Sequence, residues 1–149
     1  MKRAIAATLK PLSLYGHYAA WTIALLATVI SLYLSEGLHL VPCVLCWYTR
    51  VLMYPLVAII GLGVLRREQQ WVYYAAPLVG VGLLITAYHS LLQWGIIPEA
   101  VAPCMNGMSC ATRQVNLLGF VTIPFLGWLS FAAIAVCLYL YWKETRRVA

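Results

Sequence analysis

Cys43-Val44-Leu45-Cys46 places two thiols three residues apart, directly after Pro42. A proline ahead of an apolar run suits a helix beginning, so the pair is expected at a helix N-terminus. Unpaired N–H groups and the positive end of the helix dipole stabilise a thiolate there and lower its pKa. Arg50 follows Cys46 by four residues, one helical turn deeper on the same face. A second pair, Cys104 and Cys110, flanks an Asn106-Gly107 turn that lets a short bridge close. Two thiol pairs can exchange disulfides with each other or with a partner. Two structural disulfides are an alternative reading, with the second pair a static loop staple. A four-thiolate zinc site is another. Its ligand spacing, C-x2-C with C-x5-C, is unlike that of a finger. Cys137 stands alone in an apolar run and reads as a small buried apolar residue.

The elements that must position these groups follow from composition. The chain has 149 residues, 64% of them hydrophobic, with ten basic and four acidic side chains. Mean hydropathy is +0.86. That excludes a disordered chain and leaves too few polar groups to cover a soluble globule. The basic residues sit in small clusters between uncharged runs, not on one face, so no nucleic-acid partner is expected. The reading is an all-α integral membrane protein in a lipid bilayer. A helix needs roughly 20 apolar residues to cross the hydrocarbon. Four runs qualify: Leu12–Ser35, Val44–Leu65, Trp71–Trp94 and Leu117–Trp142. Pro55, Pro77 and Pro124 lie inside runs two, three and four, which membrane helices tolerate with a kink. Run one is too long for a cleaved signal peptide and reads as a retained anchor. Short loops between the runs predict a single domain over residues 1–149, a four-transmembrane-helix bundle. Aromatic residues gather near the run ends, as interfacial belts do.

Eight of the ten basic residues share one side of a four-span protein: Lys2, Arg3, Lys10, Arg66, Arg67, Lys143, Arg146 and Arg147. The positive-inside rule puts that side, and both termini, in the cytoplasm. Loops 36–43 and 95–116 then face outward, and Cys43, Cys104 and Cys110 in them, with Cys46 at the start of span two, lie on that side. The outside of a bacterial inner membrane, or the lumen of the secretory pathway, permits disulfides and works against a thiolate metal site, so no metal is expected. Arg50 lies about 9 Å below the outer boundary at 1.5 Å per residue. A cation at that depth costs about 2.5–3.5 kcal/mol on insertion scales. A thiolate or the oxygen of a reduced quinone would offset that cost; snorkelling to the interface is the alternative. His89 and Gln93, one turn apart in run three, lie in the same layer, His89 about 6–8 Å deep. A polar layer within lipid reads as functional by default. A histidine satisfied by a neighbouring helix is the plainer reading.

Cys43-Val44-Leu45-Cys46-Trp47-Tyr48-Thr49-Arg50 resembles the C-V-L-C-x-Y-x-R signature of DsbB-type disulfide-bond formation proteins. The four spans, the C-x-x-C entering span two and the cysteine pair in the second outward loop agree, over essentially the whole chain. The short gap between Cys104 and Cys110 is similar to the BdbC branch. The resemblance implies a membrane thiol:quinone oxidoreductase of the bacterial cell membrane. It would reoxidise a thioredoxin-fold thiol oxidase of the DsbA/BdbD type and pass two electrons to the membrane quinone pool, ubiquinone or menaquinone. That would support disulfide formation in exported proteins. Cys104–Cys110 would be the loop disulfide, with Cys104 attacked by the partner. Cys43 would exchange with the loop pair, and Cys46 would face the quinone as a thiolate. Arg50 matches the quinone-proximal arginine. His89 and Gln93 fall where the family borders the quinone.

A non-catalytic membrane scaffold with two structural disulfides is the competing reading. A vitamin K epoxide reductase type of enzyme ranks lower: there the loop cysteines precede the C-x-x-C, and here the order is reversed.

Overall fold

The computed structural model describes residues 2–66, 70–98, 109–111, 116–117 and 121–148, with side chains from residue 15 onward up to 146. Cys104, Arg67, Glu99 and Arg113 lie outside the described residues. The chain forms α1 (Lys2–Leu32), α2 (Val44–Arg66), α3 (Trp71–Gln93) and α4 (Ile123–Val148). A π-helical turn, Tyr33–Gly37, extends α1. Two short strands, β1 (Asn116–Leu117) and β2 (Val121–Thr122), pair antiparallel ahead of α4. Among the described residues, four helical segments are long and apolar enough to cross a membrane: Tyr15–Gly37, Val44–Arg66, Trp71–Gln93 and Ile123–Arg146.

Two boundaries differ from the sequence expectation. The fourth helix begins at Ile123, not at Leu117, because Leu117 and Val121 are partners in the β ladder. Pro124 therefore occupies the first helical turn, where no backbone N–H is required of it. At the other end of the chain, α1 starts at Lys2, well ahead of the apolar run.

Inter-helix contacts set the packing order. Arg50 meets Ser31, and Gly61 faces the Trp21 indole, so α1 and α2 run antiparallel. Cys43 meets His89 and Gly63 faces Trp71 across α2 and α3. Gly82 faces Phe131 and Gly127 faces Thr86 across α3 and α4. Gly16 faces the Cys137 carbonyl, and His17 packs on Tyr141, closing α4 onto α1. The result is an up-down-up-down bundle in which each helix packs on its chain neighbours and α4 returns to α1.

The distribution of side chains is that of a protein solvated by lipid. Leu65, Leu84, Val51 and Val136 point outward, Leu84 with 73% of its surface exposed. Ala20, Ala24, Ala75, Thr86 and Ser90 are buried inside. Small residues let helix backbones approach, which is how membrane bundles gain packing energy when the surroundings are as apolar as leucine. Thr86 and Ser90 each donate their hydroxyl to a carbonyl one turn back, to Gly82 at 2.7 Å and to Thr86 at 2.8 Å. That satisfies them without water.

Gly82 shows how tight the contact is. A Cβ there would fall inside the van der Waals shell of the Phe131 ring, which is itself fully buried. Gly82→Ala is expected to lower stability by about 1–3 kcal/mol, the usual cost of overpacking. Gly80→Ala, with nothing within 4 Å of its new Cβ, should leave stability unchanged. Thermal unfolding of both variants in detergent checks the contrast.

Candidate active site

Cys43 is the residue that caps α2. Its carbonyl accepts the first helical bond, from the Trp47 N–H at 3.1 Å. Its sulfur accepts the backbone N–H of Cys46 at 3.4 Å. This is the N-cap arrangement with sulfur in place of oxygen. The two sulfurs lie 2.9 Å apart and are hydrogen-bonded, and both are free thiols. The hydrogen bond with Cys46 holds the Cys43 thiol well below the usual thiol range. Burial opposes this, and the His89 imidazole assists it. These contacts, chiefly the one with Cys46, favour the Cys43 thiolate over the thiol.

His89 comes from α3 and is 1% exposed. Its Nε2 lies 3.7 Å from Cys43 Sγ and 3.2 Å from the Cys110 carbonyl oxygen. Cys110 is disulfide-bonded and fully buried. Cys43, Leu45, Leu92 and Cys110 form one buried cluster, with Cys46, Ile85, Tyr88, Ile97 and Ala111 packed around it. Cys43 and Cys110, far apart in sequence, are therefore neighbours, and His89 Nε2 contacts both. A Schellman motif fixes the end of α3 beside this cluster: Ile96 N–H bonds Leu91 and Gly95 N–H bonds Leu92. Gly95, at φ +77°, supplies the left-handed residue this motif needs.

Cys46, at the edge of this cluster, also has a second neighbour. It lines a cavity of about 440 Å³ between α1, α2 and α4, floored by Thr86 and His89 of α3. The remaining polar lining is Thr28, Ser31, Ser35, Thr49, Arg50, Tyr54 and Ser130. Arg50 donates from Nε to Ser31 Oγ and from Nη2 to the Ser31 carbonyl, both at 3.0 Å. Its guanidinium also sits 5.6 Å from the Trp47 ring centroid, a cation–π distance. Ser31 lies just before α1 widens into its π turn, a distortion frequent at functional sites. The buried Thr28 hydroxyl has no hydrogen-bond partner among the described residues.

The expected site residues separate into two groups. Cys43, Cys46, Arg50 and His89 surround one centre, with Cys110 packed beside Cys43. Gln93 is buried one turn beyond His89 but is not among the residues lining the cavity. Arg50 takes its acceptors from Ser31 of α1, which sequence reading did not single out. The signal was present: Thr28, Ser31 and Ser35 repeat at i, i+3 and i+7 on span one, a polar stripe on one helical face.

This geometry agrees with what the chain is similar to. A family model described as "Disulfide bond formation protein DsbB" matches residues 15–142. The chain belongs to the DsbB family. Among relatives of this DsbB-family chain is "Probable disulfide formation protein C 2" of Bacillus anthracis, 43% identical over 81% of this chain and 86% of the relative. "Disulfide bond formation protein C" of Bacillus subtilis (strain 168) is 40% identical over 80% of this chain and 86% of its own. "Probable disulfide formation protein" of Metapseudomonas resinovorans is 35% identical over 84% and 88% respectively. No solved structure matches the chain. Membership of the DsbB family, with four membrane-spanning helices, makes this a multi-pass membrane protein of disulfide formation.

Proposed function

We propose that this DsbB-family protein is a thiol:quinone oxidoreductase of the bacterial cell membrane. It reoxidises an extracytoplasmic DsbA/BdbD-like thiol oxidase and delivers the electrons to ubiquinone or menaquinone. The observation that carries this reading is the two-sidedness of the Cys43–Cys46 pair. Cys43 faces the disulfide-bonded Cys110 across His89, and Cys46 faces a cavity between the helices. A structural bridge has no use for a second cysteine pair on one side and a cavity on the other. The eight-to-two division of basic residues supports cytoplasmic termini, with the cysteine end outward.

A quinone ring fits the cavity by chemistry. Arg50 offers charged N–H donors, the Thr28 hydroxyl lacks a partner among the described residues, and aliphatic residues such as Ile23, Ile30 and Leu129 line the rest. The chemistry a quinone supplies there is a two-electron, two-proton sink. The protein's own part is thiol–disulfide exchange. The partner's thiolate attacks the loop disulfide at Cys104, and its second thiol resolves the mixed disulfide, leaving Cys104 and Cys110 reduced. One of these sulfurs attacks Cys43 of an oxidised Cys43–Cys46 pair and expels Cys46 as a thiolate on the cavity side. The second loop sulfur then displaces Cys43, which leaves as a thiolate beside His89 Nε2. The loop is again a disulfide and the helix pair a dithiol, so electrons have moved one step towards the lipid.

A redox titration of the four cysteines separates this reading from a scaffold. Structural disulfides resist reduction, with potentials below about −300 mV. A relay is expected to be far more oxidising. If both pairs titrate below that value, and no quinone copurifies or is reduced, the oxidoreductase reading fails.

A further inference from the structure

We infer that the reduced Cys43–Cys46 pair and His89 form a site for a thiophilic divalent cation, Zn²⁺, whose binding locks the pair in the dithiolate form. The observation is that Cys43 Sγ, Cys46 Sγ and a ring nitrogen of His89 all lie within 4.8 Å of one another. Tetrahedral zinc with Zn–S near 2.3 Å and Zn–N near 2.0–2.1 Å requires S···N separations of about 3.6 Å and S···S of about 3.8 Å. Cys43 Sγ and His89 Nε2 are already 3.7 Å apart. The sulfurs, at 2.9 Å, need to open by about 0.9 Å to reach that spacing. Cys46 is only half-buried and borders the cavity, so its side chain has room to rotate.

Charge favours the complex. Two thiolates at a lipid boundary are an expensive dianion. Two thiolates, a neutral imidazole and Zn²⁺ together carry no net charge. Two Cys and one His with an open fourth position is a known zinc ligand set. The Cys110 carbonyl lies 3.2 Å from the same His89 nitrogen, which gives up that contact and moves its proton to Nδ1 when it ligates the metal. No electron transfer is involved: two Zn–S bonds form, and any proton still on either sulfur leaves to water. Disulfide formation between Cys43 and Cys46 removes the site, so metal and oxidation exclude each other. The metal would also tie α2 to α3, adding its binding energy to the fold.

The regulatory consequence rests on the proposed function; the binding does not. The test uses full-length Cys104→Ser/Cys110→Ser protein in detergent, so that only the helix pair can supply two thiolates. Zinc chloride is titrated against a chromophoric chelator, with the pair reduced and with it oxidised. One Zn²⁺ per reduced chain is expected and none per oxidised chain. His89→Ala and His89→Gln should each weaken binding at least tenfold, as loss of groups around a metal does. Reduced protein should also unfold at a higher temperature with zinc than without, and oxidised protein should not. In the wild type, zinc should slow quinone-driven oxidation of the pair, and a chelator should restore it. No uptake by the reduced protein, or uptake that survives oxidation or both His89 substitutions, overturns the site. Zinc binding without any quinone-driven oxidation in its absence would instead overturn the proposed function and leave the site standing.

Discussion

Cys46→Ser is expected to abolish quinone-dependent oxidation of a thioredoxin-like dithiol, with the fold intact. Serine fills nearly the same half-buried volume but cannot form a disulfide. The position of Cys46 makes the outcome more specific than simple inactivity. Cys43, which keeps its place beside His89 and Cys110, can still attack the loop disulfide. Without Cys46 to resolve it, the Cys43–loop mixed disulfide accumulates. Peptide mass spectrometry under non-reducing conditions should find it. Cys43→Ser should be equally inactive, but Cys46 sits at the edge of the cluster that buries Cys43 and Cys110 and borders the cavity, so less loop mixed disulfide should form. Thermal unfolding of both variants should stay close to wild type. Normal turnover in either variant would remove the relay altogether. Equal trapping in both would remove the distinct roles given to the two sulfurs.

Arg50→Ala should raise the apparent KM for quinone about ten- to a hundredfold. A hydrogen bond from a charged donor contributes about 1.5–3 kcal/mol, and 1.4 kcal/mol is tenfold in affinity. The KM for the dithiol partner should be unchanged, because the guanidinium lines the cavity and not the Cys110 side. Arg50→Lys should rescue only in part. The guanidinium is held at two points, Nε on Ser31 Oγ and Nη2 on the Ser31 carbonyl, and an ammonium cannot reproduce that fork. Ser31→Ala removes one of the two bonds and should raise the quinone KM about three- to tenfold, for a net 0.5–1.5 kcal/mol. Steady-state kinetics with a water-soluble quinone analogue at saturating dithiol reads all three. A raised KM for the dithiol with quinone KM unchanged would place Arg50 on the wrong side of the pair.

Much of this protein is legible without coordinates. Lipid imposes one rule, that every backbone polar group be satisfied within its own segment. Four apolar runs therefore become four helices, and their ends need little further information. The exception is instructive. Leu117–Thr122 is apolar enough to extend the fourth helix, yet part of it pairs as strands. Hydropathy measures what lipid tolerates, and a short strand pair satisfies the backbone as well as a helical turn does. The C-x-x-C at a helix start was equally legible, because Pro42 and the onset of an apolar run mark the cap.

Tertiary structure decided which groups meet. Sequence depth placed Arg50 and His89 in one layer, but both could not be assigned to the same neighbour by depth alone. Packing turns Arg50 towards α1, where Ser31 sits beside a π turn, and turns His89 towards Cys43 and the Cys110 carbonyl. Gln93, on the same helix as His89, is carried past the cavity. The acceptors for a membrane-buried arginine come from a helix whose only sequence signal was three hydroxyls in a row of apolar residues. Helical period tells which residues share a face, and composition tells that the face will be buried or lipid-bound. Which face meets which depends on the rotation of each helix about its axis. That is set by close approaches such as Gly82 on Phe131 and Gly63 on Trp71, which exist only once the bundle has closed.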